Sequence, residues 1–263
     1  MSNKVGMFSR TVIAKILRPV VCVIPRQWIA KILQIWIYIF SQFYEPDKAL
    51  RFLLSIHSMV YRSIGKHAIR YGNGVHVKHR MTGYVEILSS WAVDHPGPYL
   101  DVGCNIGEIS RAVAGRTAAK VVGLDISPEV IQKARDRSCS PNLQFICGDT
   151  NALDSAEVFE TVILSNVLEH IEDRIGFLAS LRRDQGAKNL IVRVPNYERD
   201  WLIPLRQELG LSYFSDPTHY IEHRPEELRH ELAQAGLAVS REEHRWGEIW
   251  LVASARKKEG LDS

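Results

Sequence analysis

The sequence predicts an α/β protein: a doubly wound sheet of about seven strands, mostly parallel, ending in an antiparallel hairpin and preceded by helices. Three observations carry that expectation. Short apolar runs alternate with helix candidates from residue 99 to residue 194, the pattern of a parallel sheet covered on both faces. A glycine turn follows the first of those runs, where backbone approaches a ligand at the carboxyl edge of such a sheet. Two further runs, Ala238 to Arg245 and Glu248 to Ala255, are separated only by Trp246-Gly247, which is a hairpin signal.

In chain order, residues 1–44 come first. Thr11, Lys15 and Arg18 share one face of a short helix ended by Pro19, and Pro25 separates it from a second helix over Gln27 to Tyr44. In the second, Gln27, Lys31, Gln34 and Ser41 form one narrow polar stripe on a surface otherwise apolar and rich in Trp and Tyr. The chain's formal net charge is +3, yet this head carries Lys4, Arg10, Lys15, Arg18, Arg26 and Lys31 without an acid, so it is +6 and the remainder is −3. A uniformly basic nucleic-acid surface is therefore not expected. The longest strongly apolar stretch, Ile32 to Tyr44, is 13 residues, short of the roughly 20 that a span needs. A shallow interfacial anchor on anionic lipid suits this composition, and packing on the body or in a homodimer interface is the alternative. No small-residue cleavage motif is recognised, so the segment is expected to be retained.

Residues 45–95 read as a helical region that covers the pocket, with helices from Glu45 to about Lys66 and from Thr82 to Trp91 flanking the Gly72-Asn73-Gly74 turn. The main domain spans 96–256. Its strand candidates are Tyr99 to Val102, Lys120 to Asp125, Leu143 to Cys147, Thr161 to Leu164 and Asn189 to Val194. Helix candidates lie between them at Glu108 to Ala114, Pro128 to Arg137, near Ser155, and at Asp173 to Arg183, with Ser127 read as an N-cap. Residues 196–224 lack periodicity and are expected to form an acceptor-binding lid. Pro225 then opens a helix that Gly236 closes, and 257–263 is a tail. Hydrophobic residues at 46% and charged residues at 24% fit a globular chain and exclude disordered, collagenous and disulfide-scaffold classes. Cys22, Cys104, Cys139 and Cys147 form no CxxC pair or zinc spacing, so reduced thiols in a cytoplasmic body are expected and no metal site is predicted.

The most informative stretch is Asp101-Val102-Gly103-Cys104-Asn105-Ile106-Gly107. Its GxxxG spacing departs from the dinucleotide GxGxxG fingerprint, and Asp101 would repel a pyrophosphate but attract a sulfonium or amine. Asp125, at the end of the second run about 20 residues on, is placed to bind both hydroxyls of a ribose. Asp149, after the third run, is placed to accept from an exocyclic amine such as that of adenine. Any one of these acids could instead cap a helix.

These residues resemble the class I S-adenosylmethionine-dependent methyltransferases, which have a Rossmann-like fold. DVGCNIG resembles that family's glycine motif, Asp125 its ribose-binding acid, Gly148-Asp149 its adenine-side motif, and Ser165-Asn166-Val167-Leu168-Glu169-His170-Ile171-Glu172-Asp173 its post-strand segment LEHxxD. The resemblance covers about residues 75–256 and implies S-adenosyl-L-methionine held by Asp101, Gly103, Cys104, Asn105, Gly107, Asp125, Ile126, Asp149, Thr150 and Asn166. Asn105 departs from the usual glycine. A narrower similarity, to methyltransferases of bacterial surface-polysaccharide and lipopolysaccharide clusters, rests on Val75-His76-Val77-Lys78-His79-Arg80, Val194 to Trp201, Ser215-Asp216-Pro217-Thr218-His219 and Trp246 to Trp250. It implies a glycan or lipid-linked sugar acceptor, and the N-terminal helices are expected to hold the protein at the inner face of the cell membrane. A membrane-soluble phenol or lipid acceptor, and a non-catalytic cofactor-binding subunit, are the alternatives.

A sugar hydroxyl needs a general base. His219 is the first candidate because it lies in the lid segment and a histidine titrates near neutral pH, with Asp216 to orient it or to bind sugar hydroxyls. His170 is the rival. The bland readings are a solvated turn at Asp216-Pro217-Thr218 and a histidine at 170 that only shapes the pocket. Arg80, with His76 and His79, is expected either at the cofactor carboxylate or an acidic acceptor, or simply at the surface. The Trp246 to Trp250 turn is expected to brace the pocket floor, with Glu248 reaching the acceptor as the alternative. His219-Tyr220-Ile221-Glu222-His223 matches the HxxEH peptidase pattern, which requires a helix and a third ligand.

Overall fold

The computed structural model describes residues 25–73, 76–138, 140–154 and 156–256. The expected helix around Thr11 to Pro19, the turn at Gly74, the short helix at Ser155, Cys22, Cys139 and the tail 257–263 lie outside the described residues. The chain divides into two compact units, residues 1–64 and 65–263.

In the first unit, α1 (Arg26–Gln42) begins after Pro25 and has no buried residue. Trp28, Ile32, Ile35, Trp36, Tyr38 and Phe43 are all more than half exposed. α2 (Pro46–Tyr71) begins at a proline with Asp47 in its first turn, where a missing N–H costs nothing and an acid meets the helix dipole. Phe40 of α1 packs on Phe52 of α2 with ring centroids 4.3 Å apart. Among the described residues, no helix is long and apolar enough to cross a membrane.

The second unit is the predicted sheet. Its strands are β1 (Tyr99–Val102), β2 (Val121–Asp125), β3 (Leu143–Cys147), β4 (Thr161–Ser165), β5 (Asn189–Pro195), β6 (Leu237–Arg245) and β7 (Glu248–Ala255), in the order β3-β2-β1-β4-β5-β7-β6. The β1, β2, β3, β4 and β5 pairings are parallel, and β7 is antiparallel to both β5 and β6. Helices α3 (Val77–Thr82), α4 (Tyr84–Val93), α5 (Glu108–Ala114), α6 (Pro128–Asp136), α7 (Arg174–Asp184), α8 (Leu202–Glu208) and α9 (Pro225–Gln234) complete it. Alternation along each strand feeds two cores. Leu100, Val122, Val162 and Leu190 face Leu178 and Leu181 of α7 and Leu228 and Leu232 of α9. Tyr99, Val121, Ile163 and Ile191 face Leu88 and Trp91 of α4 and Val113 of α5. That two-sided burial explains why the strands read as continuous apolar runs. The hairpin turn sits at Trp246 and Gly247, both with positive φ, 53° and 75°, as a two-residue turn of matching twist requires.

The differences from expectation are local. α3 was not anticipated, since His76 caps it by accepting from the Lys78 N–H at 3.1 Å, an unusual cap residue. The segment 196–224 contains a 3-10 turn, Tyr197–Arg199, and α8. Ser127 precedes α6, but its side chain makes no capping bond.

Candidate active site

The turn after β1 is shaped by backbone sterics. Gly103 has φ 68° and a Cβ there would lie 2.8 Å from Val167; Gly107 has φ 76° and a Cβ would lie 2.3 Å from the Phe145 ring. Asn105 sits between them at φ 50°. Asparagine tolerates the left-handed region better than most residues, which accounts for the departure from glycine at this position. The Asn105 N–H donates to Asp125 Oδ2 at 2.9 Å, and the Ser127 N–H donates to Asp125 Oδ1 at 2.9 Å. Both carboxylate oxygens are thus oriented at the end of β2 with lone pairs left over. Ile126 beside them is 76% exposed, an apolar surface of the kind that an adenine ring covers.

The other two acids differ from the expected trio. Asp101 is one residue short of the strand end and is buried, accepting from the Ser110 hydroxyl at 2.6 Å. Burial pushes its carboxyl up to about 7, against the Ser110 hydrogen bonds. Asp149 is exposed, and its Oδ1 caps the 3-10 turn Thr150–Ala152 by accepting from the Asn151 N–H at 2.9 Å. The capping alternative is realised there, with Oδ2 left over. Buried Cys104 has its thiol pushed up by burial and donates its backbone N–H to Leu124 at 3.0 Å. Asn166 follows β4 at φ 58°, and its side-chain oxygen is buried without a partner.

A cavity of about 480 Å³ opens at the edge between β1 and β4, lined by Asp101, Gly103, Cys104, Asn105 and Asn166 on the sheet side and by His76, Lys78, His79 and Tyr84 from the preceding helices. The strand order reverses there, the place where open α/β sheets bind ligands. Gly107, Asp125, Ile126, Asp149 and Thr150 are not in its wall; they follow around the same carboxyl edge. Arg80 is exposed and also outside the wall, so the cavity's permanent cations are Lys78 and Arg193 rather than Arg80.

Arg193 is the residue the sequence reading missed. It occupies the interior of β5, 4% exposed, and makes paired hydrogen bonds to Glu248 at 2.8 and 3.0 Å, a third to Ser165 at 3.0 Å, and a stack 4.0 Å over the Tyr84 ring. Glu248 also meets Lys78 at 3.4 Å and Trp250 Nε1 at 3.1 Å. Burial pushes the Glu248 carboxyl up, and Arg193 more than reverses this, leaving it below the usual range. The available signal was the charge itself: an arginine inside an otherwise apolar run must be paired when buried.

In the lid, Glu222 is the centre. Fully buried, it accepts from the Ser215 N–H and hydroxyl, from Arg199 and from His219 Nδ1, the last at 3.1 Å. Burial raises its carboxyl, and the hydrogen bonds from His219 and Ser215 with the Arg199 charge bring it below its ordinary value. Glu222, not Asp216, therefore orients His219. Asp216 is occupied by the N–H and hydroxyl of Thr218, at 2.9 and 2.6 Å. The turn reading holds for Asp216 but not for His219, whose side chain is only 5% exposed. Because the Thr218 hydroxyl donates to Asp216, His170 Nδ1 at 3.0 Å must donate to it. The His170 and His219 rings meet edge to face at 4.6 Å. Burial and the neighbouring His219 hold the His170 imidazole below its ordinary value.

His223 turns away from His219 and pairs with Glu231 at 3.2 Å, and residues 211–224 contain no helix. The HxxEH coincidence therefore lacks peptidase geometry. Tyr213 stacks on Phe214 and meets Tyr197 edge to face within the segment, as packing aromatics do, while Trp201 is 71% exposed.

A glycine turn, an acid held by two backbone N–H groups and a cavity at the strand-order reversal gather along one edge of the sheet. Residues 100–184 match the family model described as a methyltransferase domain. Similar curated proteins include a ubiquinone biosynthesis O-methyltransferase of Rhodopseudomonas palustris, 28% identical over 54% of this chain and 58% of that protein. A malonyl-[acyl-carrier protein] O-methyltransferase of Halalkalibacterium halodurans is 27% identical over 47% of this chain and 49% of that protein. The chain spans about half the length of these relatives. The fold matches magnesium protoporphyrin IX methyltransferase from Synechocystis, crystallised with bound S-adenosylhomocysteine, at TM-score 0.54 and 21% identity over 67% of this chain and 84% of that one.

Proposed function

We propose that this protein is an S-adenosylmethionine-dependent O-methyltransferase whose acceptor is presented at a membrane surface, a sugar hydroxyl of a surface glycan or its lipid-linked precursor. Asp125 carries the cofactor part. Its two oxygens, each fixed by one backbone N–H, match the paired hydroxyls of a ribose and leave no room for a phosphate's charge. The residues present fit the rest of the cofactor. Gly103 and Gly107 let the turn close tightly on Val167 and Phe145, Asn166 offers an unpartnered buried oxygen, and Lys78 borders the cavity where it could pair with a carboxylate. Bound there, S-adenosylmethionine supplies an electrophilic methyl group. Asp101 stabilises positive charge, and the Glu222-backed His219 presents Nε2 to an acceptor hydroxyl.

The membrane part rests on α1, whose exposed Trp28, Trp36, Tyr38 and Phe43 accompany Arg26 and Lys31 without an acid, a composition suited to an anionic interface. A quinone-like phenol is the second reading, favoured by the ubiquinone biosynthesis relatives, and the same anchor would serve it. Titrating S-adenosylmethionine by calorimetry tests the cofactor reading. Mass spectrometry of surface glycans and of quinones from a deletion strain distinguishes the acceptors by which pool loses the mass of one methylene. If neither does, the acceptor assignment fails. Membrane sedimentation that persists without residues 1–44 rules out the anchor.

A further inference from the structure

Glu169 follows Asn166 by three residues, in a 3-10 turn (Leu168–His170) at the carboxyl end of β4. Its side chain is fully buried, and neither carboxylate oxygen receives a hydrogen bond from any other residue. One ligand-type atom of Glu169, one of His170 and one of His219 all lie within 4.8 Å of one another. The surrounding hydrogen bonds fix what these groups can do. His219 Nδ1 donates to Glu222, and His170 Nδ1 donates to Thr218, so each neutral ring is left with an Nε2 lone pair. An unpartnered buried carboxyl thus lies beside two imidazoles whose Nδ1 atoms are already committed. A buried carboxylate in that position is costly unless a cation meets it.

We propose that Glu169, His170 and His219 bind a divalent cation of the borderline class, Zn²⁺ or a first-row neighbour. Two imidazoles and one carboxylate are a ligand set that such ions favour, with positions left open for exogenous oxygen. Glu222 behind His219 supplies the outer carboxylate that fixes a ligating histidine's tautomer and raises its basicity. The chain reaches this set by joining a β4 turn to the lid, so one binding event would tie the lid to the sheet edge. Its role rests on the methyl-transfer reading: an acceptor hydroxyl taking an open position is acidified by the ion, and His219 then serves as ligand rather than base. Binding of the ion itself does not depend on that reading.

The test uses the full chain, stripped with chelator, titrated with Co²⁺ alone and followed by its visible absorption, with Zn²⁺ as competitor. Wild type is expected to bind one Co²⁺ that Zn²⁺ displaces. Glu169→Gln and His219→Ala are each expected to weaken binding at least about tenfold, and Glu222→Gln by a smaller factor. His230→Ala, on exposed α9 surface and bonded only to Gln234, should bind as wild type does. The metal-free Glu169→Gln protein should melt no lower than wild type, because a neutral amide replaces an unpartnered charge, and so a loss of binding is separated from a loss of fold. No saturable Co²⁺ binding by wild type, equal binding by Glu169→Gln and His219→Ala, or a lowered melting temperature for metal-free Glu169→Gln would each overturn the proposal. Since neither S-adenosylmethionine nor acceptor is present, failure here leaves the cofactor reading standing, and failure of the calorimetric titration leaves this one standing.

Discussion

The two halves of the site are built from different materials. On the cofactor side, backbone does the holding: N–H groups of Asn105 and Ser127 grip Asp125, and glycines at 103 and 107 let the turn close on Val167 and Phe145. On the lid side, side chains hold one another, with Glu222 gathering Arg199, Ser215 and His219 into one buried network. The first arrangement is rigid because the sheet fixes it. The second depends on a single carboxylate, so the two should fail separately when perturbed.

The largest effect is expected in the lid. Glu222→Ala leaves Arg199 and His219 without their shared acceptor and should cost on the order of 3–5 kcal/mol in unfolding free energy, measured by urea denaturation, while affinity for S-adenosylmethionine in the folded fraction changes less than about threefold. A parallel collapse of cofactor affinity would show that the halves are one cooperative unit. The converse variant is Asp125→Ala. It should weaken S-adenosylmethionine by about 100-fold, near 2.7 kcal/mol, with little change in stability, and calorimetry that finds equal affinity breaks the ribose assignment.

The same contrast decides what could be read in advance. The strands from Tyr99 to Pro195, the helix at Glu108 and the Trp246-Gly247 hairpin were legible because two-sided burial and turn sterics leave local marks. Asp125 was legible for a similar reason, lying one strand beyond a glycine turn. Glu222 was not. It appeared only inside the HxxEH coincidence, and nothing near it in sequence announces Arg199 or the fact that Asp216 is consumed by Thr218. Arg193 was hidden inside an apolar run because its partners, Glu248 and Tyr84, lie 55 and 109 positions away. α3 was missed because its cap is a histidine ring rather than one of the usual short polar side chains.

A smaller effect tests whether the cofactor side is rigid. Gly107→Ala places a Cβ 2.3 Å from the Phe145 ring at φ 76°, and should cost about 2 kcal/mol of stability and about tenfold in S-adenosylmethionine affinity. Adding Phe145→Leu removes the collision but not the backbone strain, so it should restore about half of the loss. Complete restoration would mean that the left-handed backbone matters little there; no restoration would mean that the ring is not the obstacle.

The smallest effect is electrostatic and concerns Asp101, a cofactor-side acid held by the Ser110 hydroxyl. Its carboxyl is raised by burial from an ordinary 3.8 to about 7. Between those values the folded protein holds a proton that the unfolded chain has released, so this group's contribution to stability declines as pH rises through that window and is constant above it. Asp101→Asn should match wild type near pH 4 and exceed it at pH 8, measured as the difference between two urea series. Cofactor binding should respond in the opposite sense. A sulfonium attracts the ionised form, so wild-type affinity for S-adenosylmethionine should tighten as pH rises through 7, while that of Asp101→Asn stays flat and weaker. If the variant instead reproduces the wild-type pH profile, the titrating group lies elsewhere and the cofactor side owes its charge selectivity to Asp125 alone.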